Sequence, residues 1–314
     1  MNPRGVSRTA EYMALFRALE SVAPAERRLF VDPLALEFLS PSLRLLVQAA
    51  RFHPFGALLA WYLDRRWPGA RSSGTARTRF IDDACLAALR VGIEQVAILG
   101  AGFDARAFRL EDMAHLRVFE VDRPDTLAEK QRVLRRAFDM PPRHVAFVPT
   151  DFGDGRLAEA LRGRGFDAAR RTLFIWEGVT NYLSAEAVDA VFRFIRAAAP
   201  GSRVIFTYVH RDVLDHPAAF AGTRSLARTL RDAGEPWTFG FDPAELPGYL
   251  RQRGLALLAD AGSAEYRARY LGPAARNLHG YAFYRIAVAE VAPPLNHDAA
   301  PAACSAQAAG AGYR

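Results

Sequence analysis

The chain has 314 residues, of which 51% are hydrophobic and 24% are charged, and its formal net charge is +7. A chain of this size can bury a large core, as one domain or as one domain with a cap. No run approaches the roughly 18 apolar residues that span a bilayer, and the charged N-terminus is unlike a signal peptide, so we expect no membrane partner. The two cysteines, Cys85 and Cys304, define no disulfide framework, which favours a reducing, cytoplasmic location.

The positive charge is spread along the chain rather than grouped. Lys130 is the only lysine, and the arginines are scattered among alanines instead of forming a basic stripe. A coding bias toward alanine and arginine explains this as well as a phosphate-binding face does. We therefore expect no nucleic-acid partner, although a nucleic-acid-binding or nucleic-acid-modifying protein stays open as an alternative.

The predicted elements begin with a helical cap over residues 1–80, without a clear strand. Its helical patterns are interrupted at five prolines: Pro24, Pro33, Pro41, Pro54 and Pro68. A main domain over residues 81–290 follows, and it includes a polar helical lid at about 211–240. Residues 291–314 are rich in Ala, Pro and Gly, so we expect a disordered tail.

The main domain alternates strands and helices. Helices are predicted over residues 82–89 and about 125–138, from an N-cap at Ser184 to about residue 198, and from Asp242 onward. Apolar runs predict seven strands, at about residues 96–99, 117–121, 144–148, 172–176, 203–208, 255–258 and 281–289. This alternation indicates βαβ units, an α/β fold and a mainly parallel sheet.

The most informative segment follows the first predicted strand. It reads Val96-Ala-Ile-Leu-Gly-Ala-Gly-Phe-Asp-Ala105, which is an apolar strand, a tight glycine turn and the start of a helix. About twenty residues further on, the second strand ends in Asp122, as a ribose-binding strand does. The segment also matches G-x-G-x-x-[GA], so an NAD(P)-dependent oxidoreductase stays open as an alternative.

Asp104 argues against a dinucleotide. A pyrophosphate needs the free N–H groups of the helix N-terminus, where Asp104 can cap the helix and places a negative charge. S-adenosylmethionine brings an ammonium group to such a turn and carries no phosphate, so the residues favour this cofactor. A simple cap role for Asp104 is compatible with either ligand.

Two further strand ends carry acids at the same edge of the sheet. The third strand is followed by Asp151 and Phe152, which can bond and pack an adenine. The fourth is followed by Glu177, beside the expected position of a sulfonium and an amino group. Each acid alone is more often a cap or a solvated turn residue. Because ligands of open α/β sheets bind at the carboxyl ends of the strands, the strand ends together predict one crevice.

These segments together resemble the class I S-adenosylmethionine-dependent methyltransferases of the leucine carboxyl methyltransferase family, in particular bacterial proteins similar to polyketide carboxyl O-methyltransferases. The resemblance covers about residues 8–271. It rests on Arg8-Thr-Ala, Arg17-Ala-Leu-Glu20, Phe30-Val-Asp-Pro-Leu-Ala35, Ala76-Arg-Thr-Arg-Phe-Ile-Asp-Asp83, Leu99-Gly-Ala-Gly-Phe-Asp-Ala-Arg106, Glu120-Val-Asp-Arg-Pro124 and Trp176-Glu-Gly-Val-Thr-Asn-Tyr-Leu183. It implies a Rossmann-like, seven-stranded sheet with an N-terminal helical cap and a lid after the fifth strand.

The resemblance also implies a site for S-adenosylmethionine. Arg77 would neutralise the cofactor's carboxylate, and either Arg27 or Arg28 is open as a further basic contact. The implied cofactor-binding residues are Arg77, Gly100, Gly102, Asp122, Asp151, Phe152 and Glu177. In these roles the glycines shape the turn, Asp122 takes the ribose, Asp151 and Phe152 hold the adenine, and Glu177 faces the methionine end. Phe152 stands where the family more usually has leucine, and it can still pack an adenine.

The implied reaction is O-methyl transfer to a small, acidic metabolite, such as a polyketide-like acid. A carboxylate, with a pKa of about 4, is ionised at neutral pH and needs no general base, whereas a phenol, with a pKa of about 10, usually benefits from one. His210 follows the fifth strand, where a structural or solvated role is favoured, and no His/Cys spacing suggests a metal. The acceptor, any catalytic residue and the oligomeric state do not follow from the sequence, and a noncatalytic cofactor-binding scaffold stays open.

Overall fold

The computed structural model of the protein describes residues 8–138, 142–220, 223, 226, 230 and 234–293. Residues 294–314 of the predicted tail, and most of residues 221–233 in the predicted lid, lie outside the described residues. None of the helices in the described part of the chain has both the length and the apolar character of a membrane-crossing segment.

The N-terminal part of the chain is helical, as the sequence predicts. Its helices are α1 (Arg8–Val22), α2 (Pro41–Ala49), α3 (His53–Arg66) and α4 (Ala70–Leu89). Pro41 and Pro54 each stand in the first turn of a helix, where a missing N–H loses no intrahelical bond. The helix predicted from Asp82 begins earlier, at Ala70, so α4 runs through residue 80, where the sequence suggests a domain boundary.

The central sheet has seven strands in the order β3-β2-β1-β4-β5-β7-β6. They are β1 (Gln95–Leu99), β2 (Arg117–Asp122), β3 (Val145–Pro149), β4 (Thr172–Trp176), β5 (Arg203–Val209), β6 (Leu255–Gly262) and β7 (Tyr284–Val291). Strands β1 to β5 pair in parallel, and β7 is antiparallel to β5 and β6. The predicted mainly parallel α/β fold is confirmed. The last strand begins at Tyr284 rather than Tyr281, because a turn closes between these residues, with Tyr284 N–H donating to Tyr281 O at 2.9 Å.

Helices pack on both faces of the sheet. After α4 they are α5 (Arg106–Arg109), α6 (Pro124–Ala137), α7 (Leu157–Arg162), α8 (Ala185–Arg196), α9 (Asp212–Asp215), α10 (Leu246–Gln252) and α11 (Ser263–Leu271). Every residue of β1 and β4 is buried, as expected of parallel strands that are covered on both faces.

Two predicted helix starts have different outcomes. Ser184 accepts a hydrogen bond from the Ala187 N–H at 3.2 Å and caps α8 as predicted. The helix predicted from Asp242 begins at Leu246 instead, because the Asp242 carboxylate accepts from the Ala244 N–H at 2.8 Å and closes a turn first.

A separate apolar cluster joins the N-terminal helices to the end of β1. Leu15 of α1 is buried there with Leu34, Phe38 and Phe103, and Phe103 follows the glycine turn directly. The rings of Phe38 and Phe103 are stacked, with centroids 4.6 Å apart. Helix α1 is therefore held against the edge of the sheet at which the sequence predicts a ligand.

Candidate functional site

A cavity of about 610 Å³ opens at the carboxyl ends of β1 to β4, and its size is typical of small-molecule sites. The structure brings all seven residues of the implied cofactor site to its wall: Arg77, Gly100, Gly102, Asp122, Asp151, Phe152 and Glu177. We call this part of the wall the turn side. The remaining wall comes mainly from α1, from the start of α4 and from residues 234–238.

The glycine turn after β1 requires glycine at its first position. Gly100 has a φ of +72°, which side chains rarely adopt, and a Cβ built there would lie 2.2 Å from Cγ2 of Val179. Gly102 has a φ of +40°, but the nearest atom to a Cβ built there is 3.9 Å away. Gly100 therefore lets the turn pass Val179, whereas Gly102 is needed for its backbone conformation alone.

Asp122, at the end of β2, fastens this turn. Its Oδ2 accepts from the Gly102 N–H at 2.7 Å, and its Oδ1 accepts from the Arg123 N–H at 2.7 Å. Burial raises the pKa of Asp122, and the two backbone donors oppose that effect. The carboxylate lies on the cavity wall, so it can accept further hydrogen bonds from a ligand.

Asp104 follows the turn and lies one residue before the N-cap of α5, which is Ala105, so it supports the helix start without occupying the cap position that the sequence suggests. Its Oδ1 accepts from the Arg106 N–H, the first helical residue of α5, at 2.7 Å. Burial opposes the charge, but Arg106 and Lys130 lower the pKa of Asp104 to about 2. The carboxylate is thus a fixed negative charge where a dinucleotide would place its phosphates.

Glu177, after β4, is held between two arginines. Arg77 Nε donates to its Oε1 at 2.8 Å, and Arg106 Nη1 donates to its Oε2 at 2.7 Å. Burial opposes this charge too, but Arg106 and Arg77 lower the pKa of Glu177 below its ordinary value. The Arg77 guanidinium also lies over the ring of Tyr284, 4.6 Å from its centroid. The carboxylate predicted for the methionine end of the cofactor is therefore ionised and oriented.

Arg106 is the main functional residue that the sequence reasoning missed. Besides Glu177 it contacts Asp104, with Nη1 and Oδ2 2.5 Å apart, and Asp82, with Nε and Oδ1 2.8 Å apart. Its side chain is 3% exposed, so these ion pairs are almost fully desolvated. The available signal was that Arg106 and Arg109 follow directly after a turn whose neighbouring strand ends carry acids.

The ion pairs continue from Asp82 to the N-terminal helices. Arg109 Nη2 donates to Asp82 Oδ1 at 2.7 Å, and Arg109 Nε lies 4.0 Å from Asp32 Oδ2. Asp32 in turn accepts from Arg17 Nε at 2.8 Å. Arg17 Nη2 donates to the Phe103 carbonyl at 2.6 Å, directly after the turn. A buried network of opposite charges thus joins α1, α4 and the turn.

Arg17 is the basic residue of α1 that reaches the cavity wall. Arg27 and Arg28, which the sequence offered for an N-terminal basic contact, are exposed and do not line the cavity, because they lie in a loop after α1. His210 also lies outside the cavity wall, and its Nδ1 accepts from the Asp212 N–H at 3.2 Å. Within the described ranges, no group of three or more His, Cys, Asp or Glu residues could hold a metal ion.

Lys130 lies beneath the turn. Its Nζ donates to the Asp104 carbonyl at 2.6 Å and lies 2.8 Å from Oε2 of Glu120, and both side chains are fully buried. Burial raises the pKa of Glu120 to about 7, although Lys130 opposes this effect. The only lysine of the chain therefore supports the turn from β2 and α6.

The residues after β3 are more open. The Asp151 carboxylate is exposed, and its Oδ1 accepts from the Gly153 N–H at 2.9 Å. Phe152 is partly buried and packs against the core between the sheet and α8. A flat ring can therefore contact Phe152 while its polar edge faces Asp151, which is the arrangement that the sequence suggests for an adenine.

Another part of the cavity wall is aromatic and adjoins the turn side where Arg77 lies over Tyr284, and no local spacing in the sequence predicts it. We call it the aromatic side: Tyr12, Trp67, Tyr182, Trp237, Tyr281 and Tyr284. The rings of Tyr12 and Trp67 are 5.6 Å apart, and those of Trp237 and Tyr284 are 6.4 Å apart. Burial raises the pKa of Tyr281 to about 12 and also raises the pKa of Tyr182, so both hydroxyls remain hydrogen-bond donors at neutral pH.

Comparisons with known proteins agree with this geometry. A sequence profile of the leucine carboxyl methyltransferase family matches residues 10–196. A Mycolicibacterium gilvum protein named "Putative S-adenosyl-L-methionine-dependent methyltransferase" is 37% identical over 239 residues, which cover 73% of each chain. A similarly named Frankia alni protein is 36% identical over 228 residues, 72% of this chain and 77% of the relative. A crystal structure of a "putative methyltransferase" from Thermobifida fusca, 19% identical, has a TM-score of 0.57 and covers 93% of this chain and 97% of its own.

The strand order and the similarity to the Thermobifida fusca structure define a Rossmann-like fold of the class I methyltransferase type. The chain belongs to the leucine carboxyl methyltransferase family. It is an S-adenosylmethionine-dependent methyltransferase, and the alternative of an NAD(P)-dependent oxidoreductase is set aside.

Proposed function

We propose that this enzyme methylates a carboxylate oxygen of a small aromatic or largely apolar acid. One observation carries the proposal, namely that a single cavity is lined both by the charged turn side and by the aromatic side. The turn side offers paired charges for the cofactor, and the aromatic side offers ring faces and phenol donors for an acceptor.

Each part of S-adenosylmethionine can be matched to particular residues of the turn side. Asp122 can accept from ribose hydroxyls, and Asp151 with Phe152 can take the adenine. Glu177 can accept from the amino group. Arg77 uses Nε for Glu177 and Nη2 for a weak bond to Met13 Sδ at 3.5 Å, so Nη1 and the second Nη2 hydrogen can donate to the cofactor's carboxylate. These assignments are ours, and they agree with the roles that the family resemblance implies.

A carboxylate acceptor needs orientation rather than activation. The bound cofactor supplies a methyl group that is already electrophilic on its sulfonium. Transfer to a carboxylate oxygen would form the new oxygen–carbon bond, break the carbon–sulfur bond of the bound cofactor and leave the electron pair of that bond on sulfur. Because a carboxylate is ionised at neutral pH, no proton has to leave it. The protein's contribution is to hold the two reacting atoms about 3 Å apart and in line.

A second candidate is methylation of a hydroxyl group, which one contact favours. Glu235 lies on the cavity wall, and its Oε2 accepts from Thr9 Oγ1 at 2.6 Å. A carboxylate in that place can serve as the general base that a phenol needs. Glu235→Gln would then abolish transfer, whereas transfer to a carboxylate would survive this substitution.

The test is a methyl-transfer assay on matched pairs of aromatic acids and phenols with the same ring system. We expect label from S-adenosylmethionine to enter the acids as methyl esters, which alkali hydrolyses. Transfer confined to the phenols, with an alkali-stable product, would overturn the carboxylate proposal. Absence of transfer to any acceptor, despite tight cofactor binding, would favour a noncatalytic scaffold.

A further inference from the structure

Large apolar side chains of α2, α3 and the turn between them point into solvent. We call them the α2–α3 surface: Leu45, Phe52, Phe55, Leu58, Trp61 and Tyr62. Phe52 is 69% exposed, and Leu58 and Trp61 are each 59% exposed. Phe55, Leu58 and Trp61 are each three residues apart and Tyr62 is four residues after Leu58, which places these side chains on one face of α3. Single exposed apolar residues are ordinary, but a cluster of them marks an interaction site.

The protein core does not account for this face of α3. Leu59 and Leu63, on the other face, are buried and pack with Ala50, Leu46 and Trp67. A surface helix with one face in the core is ordinarily polar on its opposite face. Helix α3 is instead apolar on both faces, so its outer face is suited to a second apolar environment.

Arginines flank the same surface. Residues 41–71 contain five arginines and a single aspartate, and that aspartate, Asp64, is paired with Arg71 at 2.5 Å. Arg51 is exposed just before Phe52, and Arg65 and Arg66 are exposed in the last turn of α3. Apolar and aromatic side chains therefore lie between cationic groups at both ends of the helix.

We propose that the α2–α3 surface binds an anionic lipid membrane peripherally. Trp, Phe and Leu on one side of a helix, with arginines beside them, are the composition of helices that lie in the headgroup region. The arginines would contact the anionic headgroups, and Trp61 and Tyr62 would lie at the boundary with the acyl chains. The sequence-based expectation of no membrane partner rests on the absence of a spanning segment, which such a helix does not need.

The charges also argue against a second copy of the chain as the occupant. In a twofold contact centred on α3, the same surface meets itself, so the exposed arginines of both copies would approach one another. Except for Phe55, the side chains of the α2–α3 surface moreover expose more than half of their area. Protruding side chains suit a fluid lipid boundary, into which they can insert individually.

The end of helix α3 leads directly into the cavity wall. Trp67 follows α3 directly and lines the aromatic side beside Tyr12. A membrane-bound α3 would place this wall near the lipid, from which a lipophilic acid could enter. Only this last consequence rests on the proposed function, because membrane binding itself is independent of the acceptor.

The test is sedimentation of the full chain with phosphatidylcholine vesicles that contain or lack about one quarter of phosphatidylglycerol. At about 0.1 M salt, we expect at least about tenfold stronger partition onto the anionic vesicles, and weaker binding as salt rises. The double variant Leu58→Glu/Trp61→Glu should lose about tenfold or more of this partition. Leu258→Glu is the matched control, because Leu258 is 49% exposed on the distant edge strand β6, and it should bind as the unmodified protein does.

An unchanged thermal shift with S-adenosylhomocysteine would show that the double variant is folded, and would separate this test from the proposed function. Failure of the unmodified protein to bind either kind of vesicle would overturn the proposal, and so would full binding by the double variant. A dimer in light scattering that the double variant dissociates would assign the surface to a second copy instead.

Discussion

The turn side and the aromatic side face the same cavity but are held together by different interactions. On the turn side, Arg106 contacts three carboxylates within 2.8 Å, and these contacts are directional and desolvated. On the aromatic side, ring centroids lie 5.6 Å and 6.4 Å apart, and such contacts tolerate changes in shape. The first arrangement suits a ligand of fixed shape and charge, whereas the second can admit ligands of different shapes.

The network around Arg106 gives the largest expected effect. Arg106→Met keeps most of the volume but leaves Asp82, Asp104 and Glu177 without their shared cation, so we expect a loss of about 3 kcal/mol or more in the free energy of unfolding. Urea unfolding measures this loss. Arg211→Met is the matched control, because the Arg211–Glu245 pair at 2.6 Å is exposed and should contribute about 1 kcal/mol or less. Equal losses in the two variants would show that the network does not stabilise the turn side.

The buried pair of Lys130 and Glu120 beneath the glycine turn predicts that the stability of the protein depends on pH. The pKa of Glu120 is raised from 4.5 to about 7 in the folded protein, so the native state holds this proton more tightly than the unfolded chain does. The protein should therefore lose stability as pH rises from about 4.5 to 7, by at most about 3 kcal/mol. Glu120→Gln should remove this part of the pH profile. Unfolding profiles with the same slope for both proteins would contradict the assignment.

The glycine turn gives a smaller effect. Gly100→Ala adds a Cβ at a φ of +72° and against Val179, so we expect a loss of about 1–3 kcal/mol in stability and weaker cofactor binding. Gly165→Ala, at a φ of +90° with no atom within 4 Å, should show the backbone penalty alone, about 1 kcal/mol. Adding Val179→Ala to Gly100→Ala should restore the part of the stability that Gly100→Ala loses beyond this backbone penalty. No recovery would mean that Val179 does not limit the turn.

The turn side could be predicted because its residues lie in short segments at strand ends. Gly100, Asp122, Asp151 and Glu177 each follow an apolar run, and parallel strands bring their carboxyl ends to one edge. The same apolar runs therefore predict the strands and mark where each of these residues lies. The fold was predicted for the same reason, since each buried parallel strand is a continuous apolar run.

The aromatic side, the extent of α4 and the contacts of Arg106 could not be predicted, because they depend on contacts between segments that are far apart in the sequence. The aromatic side joins Tyr12 to Trp237 and Tyr284, which are more than two hundred residues away along the chain. The sequence did not show that α4 continues from the cap across residue 80, because its first half buries polar residues such as Ser72 and Thr75 and so lacks the apolar spacing of a core helix. Arg106 was missed because its partners come from α4, from the turn and from the end of β4.

Calorimetric titration with S-adenosylhomocysteine tests the division of the cavity most directly. Asp122→Ala should weaken binding by about tenfold or more, because it removes both the proposed ribose acceptor and the partner of the Gly102 N–H. Trp237→Ala, on the aromatic side, should leave the affinity within about twofold, and so should Asp125→Ala, the matched exposed control on α6. Unchanged binding in Asp122→Ala, or equal weakening in Trp237→Ala, would contradict a cofactor site on the turn side.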